Sequence, residues 1–198
     1  MVPRLALLGA LCVMTGLSEE KAQLLGMWRS VTTSKGGIGA LLNFRSDGRF
    51  EYMPSAIVAG RYTVEDKRLV TTDTDGEQVV MNIEALSAET LRLGVPKAGS
   101  LDLKRVGRMD DAADLLLGAW VTVQTMQGMP SRGYYYFRRD GTETFTIPFR
   151  TDHCQYAISG DRIRMIHPTQ GSMEGQVRWE GDVLVLPWHG GEAKFKRF

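Results

Sequence analysis

An internal repeat constrains the fold of this chain more than any other feature of its sequence. Leu24-Leu25-Gly26-Met27-Trp28 recurs as Leu116-Leu117-Gly118-Ala119-Trp120, and four further motifs recur in the same order at offsets of 92 to 94 residues. These four pairs are Phe44-Arg45-Ser46-Asp47-Gly48 with Phe137-Arg138-Arg139-Asp140-Gly141, Tyr62-Thr63-Val64 with Tyr156-Ala157-Ile158, Leu91-Arg92-Leu93 with Leu184-Val185-Leu186, and Lys104-Arg105 with Lys196-Arg197. The repeat predicts two tandem copies, 24–106 and 116–198, each built as one structural unit.

Each copy has the pattern of successive short β-strands. Asp47-Gly48 and Asp140-Gly141 stand between alternating apolar runs, which is typical of hairpin turns. The runs 79–84 and 176–180 place their apolar residues at period two, as half-buried strands do. Counting all runs gives about eight short strands per copy, enough for an antiparallel sheet that closes on itself.

The predicted fold is therefore all-β, with two tandem small up-and-down antiparallel barrels. An alternative is one larger barrel built from both copies. Acidic residues over 19–23 and 110–114 favour a short helix before the first strand of each copy.

The Gly-x-Trp of each first strand, the Phe-x-x-Asp-Gly of each hairpin and the Arg of each last strand resemble the bacterial lipocalin-like domains, small relatives of the lipocalin and avidin barrels. The resemblance implies that Trp28 and Trp120 close the barrel floors, with Arg105 and Arg197 lying across them. A guanidinium over an indole face is worth about 0.5–2 kcal/mol.

Residues 1–18 differ in character from the rest of the chain. Leu5 to Met14 is a nearly unbroken apolar run, too short to span a bilayer but suited to a secretory signal, and small residues follow at 16 and 18. We predict a signal peptide over 1–18 and export to the periplasm or out of the cell; the alternative is an apolar strand or helix of the folded protein. Leu11 before Cys12 argues against a lipid anchor.

The predicted organisation is a signal peptide over 1–18, one barrel over 19–106, a linker or short helix over 107–115, and a second barrel over 116–198. The chain contains 24 Lys and Arg against 23 Asp and Glu, a net charge of +1. Such a balance provides no general attraction to polyanions, so no nucleic-acid partner is expected. No transmembrane span is expected either.

Candidate catalytic residues are few, and all lie in the second copy. His153 and Cys154 are neighbours in sequence, so in a strand their side chains point to opposite faces. His167 and His189 precede proline and glycine, in turn contexts. Gly36-Gly37-Ile38-Gly39 lacks the Lys and Ser/Thr of a phosphate-binding loop. We predict no catalytic site, no metal site and no cofactor.

Aromatic side chains are concentrated in the second copy, which carries four of the six tyrosines and five of the seven phenylalanines. Tyr135 and Phe137 share one face of their strand, while Tyr134 and Tyr136 share the other. That second face is either a partner surface or, as the more economical explanation, the contact between the two barrels. The predicted ligand-binding residues are Tyr135, Phe145, Tyr156, Trp179, Met126 and Met129.

These patterns favour a non-enzymatic, exported binding protein. Its second barrel would bind a small apolar ligand or another envelope protein. The alternative is a structural or protein-interaction module without a small-molecule ligand.

Overall fold

A computed structural model describes residues 19–97, 99–107, 113–126 and 129–198. The predicted signal peptide therefore lies outside the described residues. One helix and sixteen strands are present in the described part: α1 Glu19–Leu24, β1 Gly26–Ser30, β2 Ile38–Phe44, β3 Arg49–Glu65, β4 Arg68–Asp73, β5 Gln78–Leu86, β6 Thr90–Val95, β7 Gly99–Val106, β8 Gly118–Met126, β9 Met129–Phe137, β10 Thr142–Pro148, β11 Asp152–Ser159, β12 Arg162–His167, β13 Gly171–Gln176, β14 Arg178–Glu180, β15 Val183–Trp188 and β16 Gly191–Arg197. Among the residues that the structure describes, no helix has the length and apolar character needed to cross a bilayer.

The structure confirms an all-β fold containing a closed antiparallel barrel of eight strands. The strands β3 to β10 pair in sequence order, and β10 then pairs with the second half of β3, from Arg61 opposite Thr142 to Ser55 opposite Pro148. This closure leaves no free edge along the barrel wall. Five of its strands precede residue 107 and three follow residue 115, so the predicted linker lies between two neighbouring barrel strands, β7 and β8.

The other eight strands lie outside this barrel. They pair through the first half of β3 in the order β13, β12, β11, β3, β2, β1, β16, β15 and β14. β3 is thus common to both sets of strands, because its 17 residues are long enough to pair with β2 and β11 at one end and with β4 and β10 at the other.

Strand neighbours are exchanged between the two halves of the chain. The last strand of the first copy, β7, pairs with β8, and the last strand of the second copy, β16, pairs with β1. Arg105 thereby stands opposite Trp120, and Arg197 stands opposite Trp28. Each half of the chain completes the sheet of the other half.

Two equivalent side-chain hydrogen bonds also connect the two halves of the chain. The Tyr62 hydroxyl donates to the carbonyl oxygen of Arg138 at 2.8 Å, and the Tyr156 hydroxyl donates to that of Arg45 at 2.6 Å. Both contacts join a strand of one half to the Phe-x-x-Asp-Gly hairpin of the other. Gly48 and Gly141 in these hairpins have φ of 81° and 76°, the left-handed region that glycine adopts without strain.

The described strands enclose two separate cores and one layer between them. One core lies within the closed barrel around Trp120 and Phe137, and the other lies among the remaining strands around Trp28 and Phe44. The layer between them holds residues from both halves: Met27, Leu41, Met53, Ala119, Tyr134 and Phe198, with Tyr136 packed against them. Tyr134 and Tyr136 therefore contact another part of the same chain, as the strand pattern predicts.

Differences from the predicted strand count have local causes. The first half contributes seven strands and the second nine, because the counterpart of β3 is interrupted at 149–151 and divides into β10 and β11. The counterpart of β5 is divided at Val177 into β13 and β14. The predicted helix over 19–23 is present as α1, whereas most of the predicted helix over 110–114 lies outside the described residues.

Candidate ligand cavity

A cavity of about 340 Å³ opens at one end of the closed barrel. This volume lies within the range of small-molecule sites. The residues that line it come from strands β3, β4, β5, β6, β7, β9 and β10 and from the turn after β4: Val58, Thr71, Asp73, Glu77, Val79, Met81, Val95, Gly99, Ser100, Leu101, Tyr135, Glu143 and Phe145. The wall is mainly apolar, with a few polar groups that could orient a ligand.

The opposite end of the barrel is filled. Leu69, Leu93 and Trp120 have no exposed surface, and the Trp120 indole N–H donates to the carbonyl oxygen of Leu116 at 2.8 Å. Because these side chains close the barrel floor, the cavity is a cup with one opening rather than a channel.

Two stacked aromatic rings form one side of the cup. Tyr135 on β9 and Phe145 on β10 face each other across the strand pair, with ring centroids 4.4 Å apart and planes inclined by 29°. Gly133 leaves space for this arrangement, because a Cβ at that position would lie 3.1 Å from the Phe145 ring. The flat aromatic surface suits an apolar or aromatic ligand body.

Glu143 introduces a carboxyl group into this apolar surface. Glu143 is only 8% exposed, and its Oε2 has no hydrogen-bond partner among the described residues. Gly60 lies beside it on β3, where a Cβ would be 3.3 Å from the Glu143 Oε1 and 2.6 Å from the Thr72 carbonyl oxygen. A buried polar group without a partner is unfavourable for folding, so this residue calls for a functional explanation.

Burial raises the pKa of both ionisable groups on this side of the cup. Loss of water raises the pKa of Glu143 from 4.5 to about 7, since desolvation disfavours the carboxylate. Burial, followed by the nearby Glu143 charge, raises the pKa of Tyr135 to about 12. A carboxyl group that titrates near neutrality and lies in a cleft marks a candidate functional site.

The structure divides the ligand-binding residues predicted from the sequence between different places. It brings Tyr135 and Phe145 together in the cup. Tyr156 lies instead in the other core, edge-on to Phe44 at 5.0 Å, and Trp179 packs against Trp28 at 5.5 Å with 37% of its surface exposed. Met126 and Met129 are paired at the end of the β8–β9 hairpin, and their side chains lie outside the described residues.

The predicted tryptophan and arginine residues meet in two pairs. The guanidinium of Arg105 lies 4.0 Å from the centre of the Trp120 ring, and that of Arg197 lies 4.2 Å from the centre of the Trp28 ring. Each Arg also donates to main-chain carbonyl oxygens before the first strand, Arg105 to that of Leu117 at 2.7 Å and Arg197 to that of Leu25 at 2.7 Å. Both pairs cross from one half of the chain to the other.

The histidine candidates lie away from the cup. His167 is buried, and its Nδ1 accepts the main-chain N–H groups of Thr169 and Gln170, so Nε2 carries the proton that it donates to Asp152 at 3.2 Å. Both ring nitrogens are therefore occupied. Burial, with a smaller contribution from Asp152, raises the pKa of the Cys154 thiol to about 11, and its sulfur lies 3.6 Å from the Asp152 carbonyl oxygen. No group of three or more potential metal-ligating side chains occurs within the described ranges.

The sequence interpretation missed Glu143, Asp73 and Glu77, and it missed that most of the cup comes from the first half of the chain. The repeat itself contains a signal for Glu143. In the first hairpin Phe50 stands opposite Phe44, and at the matching position of the second hairpin Glu143 stands opposite Phe137.

Comparison of the chain with protein-family models, with curated proteins and with solved structures returned no significant match.

Proposed function

We propose that this protein is a non-enzymatic binding protein that holds a small, largely apolar molecule in the cup of the closed barrel. The observation that carries this proposal is a cavity of about 340 Å³ with an apolar wall, a stacked aromatic pair and a buried carboxyl group. Small-molecule sites combine these features: a concave apolar surface with few, well-placed polar groups.

The other core of the same chain supports this interpretation by contrast. There, Phe50 packs with Phe44 at a ring distance of 5.1 Å, where the closed barrel has Glu143 opposite Phe137. Phe50 is 1% exposed. Since a phenylalanine fills the matching position, the fold does not require a carboxyl group there.

The cup belongs to both halves of the chain. Tyr135, Glu143 and Phe145 come from the second half, and the other lining residues come from the first. Ligand binding is therefore proposed for the closed barrel as a whole rather than for a barrel made from 116–198 alone.

We also infer that the strands outside the closed barrel form a second small barrel with the first half of β3. Only Val177 separates β13 from β14, and these two strands are the ends of the outer ladder. A Cβ on Gly175 of β13 would lie 2.8 Å from Pro187 on β15, so the two ends approach each other closely. Their shared core around Trp28 supports a lipocalin-like pair of barrels with exchanged strands.

Export is part of the proposal and is supported by the apolar run over 5–14. An exported carrier would collect or deliver its ligand outside the cytoplasm. An envelope-protein partner remains compatible with this role, because a binding protein must pass its ligand on.

A fluorescence titration with the neutral apolar probe N-phenylnaphthylamine tests the proposal. Val58 and Val64 lie on the same strand and are each 46% exposed, but only Val58 lines the cup. We expect Val58→Trp to abolish the rise in probe fluorescence and Val64→Trp to preserve it. Equal binding by both variants, or no binding by the unaltered protein, would overturn the proposal in favour of a structural or protein-interaction module.

A further inference from the structure

We propose that the cup selects a protonated amine carried on an apolar or aromatic body, with the Glu143 carboxylate as the anchor for the ammonium group. This inference rests on the proposed ligand-binding function and specifies the chemical class of the ligand. It follows from the position of Glu143, from the charges around the cup and from the shape of the aromatic wall.

Glu143 is positioned to receive a ligand rather than to stabilise the fold. The residue is 92% buried, lines the cup, and has an Oε2 that no described donor reaches. The contrast with Glu51 shows what a satisfied carboxylate looks like in this chain. Glu51 is also buried, but it accepts hydrogen bonds from Asn43 at 3.0 Å and from Arg45 at 2.8 Å.

The charges around the cup all have the same sign. Asp73, Glu77 and Glu143 line it, and none of the lining residues in the described ranges is Lys, Arg or His. Asp73 uses its Oδ1 to accept the N–H groups of Asp75 and Glu77, both at 2.9 Å, so it shapes the turn at the opening. The opening thus attracts cations and repels anions such as fatty acids.

The depth of the carboxyl group sets the form of the ligand. An ammonium that reaches Glu143 replaces lost water with a charge-assisted hydrogen bond, which is stronger than a bond between neutral groups. The rest of the molecule then lies against Tyr135 and Phe145. A primary amine on an aryl or alkyl body therefore fits both parts of the cup.

The protonation of Glu143 supports the same assignment. Burial raises its pKa to about 7 in the empty protein. The titratable groups that interact with it, Tyr135 and Tyr62, and those that line the same cup, Asp73 and Glu77, include no cation. An arriving ammonium would favour the ionised form. Amine affinity should therefore be lower at pH 5, where the empty cup holds a neutral carboxyl group, than at pH 8.

NMR titrations with phenethylamine, phenethyl alcohol and hydrocinnamate test this inference, since the three probes share one aromatic body and differ in charge. We expect the amine to bind at least about tenfold more tightly than the alcohol, and the carboxylate to bind least. Glu143→Gln should remove most of the amine's advantage and leave alcohol binding unchanged. Asp102→Asn, on the exposed part of β7 and outside the cup, is the matched control and should change neither affinity.

The outcomes separate this inference from the function on which it rests. Equal affinities for the amine and the alcohol, unaffected by Glu143→Gln, would overturn the amine assignment while the cup still binds a ligand. Binding of N-phenylnaphthylamine together with failure of the amine would have the same meaning. Failure of every probe in the unaltered protein would overturn both proposals.

Discussion

The guanidinium of Arg197 lies 4.2 Å from the centre of the Trp28 ring, although 168 residues separate the two along the chain. In the matching pair, Arg105 and Trp120, only 14 residues lie between the two in sequence, and the distance is 4.0 Å. A simple tandem of closed units would pair Trp28 with Arg105 and Trp120 with Arg197. The observed pairs show that the halves of this chain exchange strands, so that its cup needs both of them.

Double-mutant cycles should find coupling only across the exchanged pairs. We expect Arg197 and Trp28, and likewise Arg105 and Trp120, to couple by about 0.5–2 kcal/mol in the free energy of unfolding. Arg197 and Trp120 should be additive and serve as the control. Urea unfolding of the Arg→Leu, Trp→Phe and double variants measures these coupling energies. Coupling in the control pair alone would contradict the exchange of strands.

Two tyrosine hydroxyls should contribute equally to the contact between the halves. Tyr62→Phe and Tyr156→Phe each remove a hydrogen bond to a hairpin carbonyl oxygen of the other half, at a cost of about 1 kcal/mol. Tyr52→Phe is a suitable control, because the Tyr52 hydroxyl makes no hydrogen bond within the described part of the chain. Thermal or urea unfolding compares the stability of the three variants. A loss of stability in Tyr52→Phe as large as that in the other two variants would contradict the prediction.

Glu143→Gln should make the protein more stable at pH 8 and leave it nearly unchanged at pH 4. The folded-state pKa of Glu143 lies at about 7, above the ordinary 4.5, so the folded protein binds more protons than the unfolded chain between these values. The contribution of Glu143 to the free energy of unfolding is therefore fully present at low pH and is lost as pH rises through 7. The loss reaches up to about 3 kcal/mol.

The measurement for this prediction is the difference in unfolding free energy between the two proteins across pH 4 to 8. A difference that does not change with pH would show that the carboxyl group is well solvated. Glu77→Gln, at the opening of the cup, provides a control with an exposed carboxyl group.

Gly60→Ala should destabilise the protein by about 1–3 kcal/mol, because the new Cβ would meet the Thr72 carbonyl oxygen at 2.6 Å in a tightly paired part of β3. Gly36→Ala is the control, since its nearest neighbour would be a side-chain oxygen at 3.9 Å. Denaturant midpoints of the two variants give the comparison. A Gly60→Ala protein as stable as the original would mean that β3 and β4 can separate without cost.

Local structure was largely predictable from the sequence. The Asp-Gly hairpins at 47–48 and 140–141 are present, and the period-two run 79–84 lies in a strand, whereas the run 176–180 is interrupted at Val177. The two faces of β9 separate as the alternation predicts, with Tyr135 toward the cup and Tyr134 toward the layer between the cores. These features depend on residues close together in sequence, where turn chemistry and alternation act directly.

Strand exchange was not predictable, because the repeat removes the information that would specify it. β1 and β8 present matching side chains, Trp28 and Trp120, to whichever last strand pairs with them, so either partner satisfies the same pattern. The cavity was predicted only in part, through Tyr135 and Phe145, for a related reason. The rest of its wall includes Glu143, in the place that corresponds to Phe50, and first-half residues that the exchange joins to Tyr135 and Phe145.

Disulfide trapping tests the exchange most directly, in a Cys12→Ser background that keeps the buried Cys154. Lys104 stands opposite Val121, and Arg29, which corresponds to Val121 in the repeat, stands opposite Lys196. Facing strand residues have Cα atoms about 4.5–5.5 Å apart, within the range that a disulfide spans. The account predicts that Lys104→Cys/Val121→Cys forms an intramolecular disulfide on mild oxidation and that Arg29→Cys/Lys104→Cys remains reduced. A disulfide in the second variant and none in the first would contradict it.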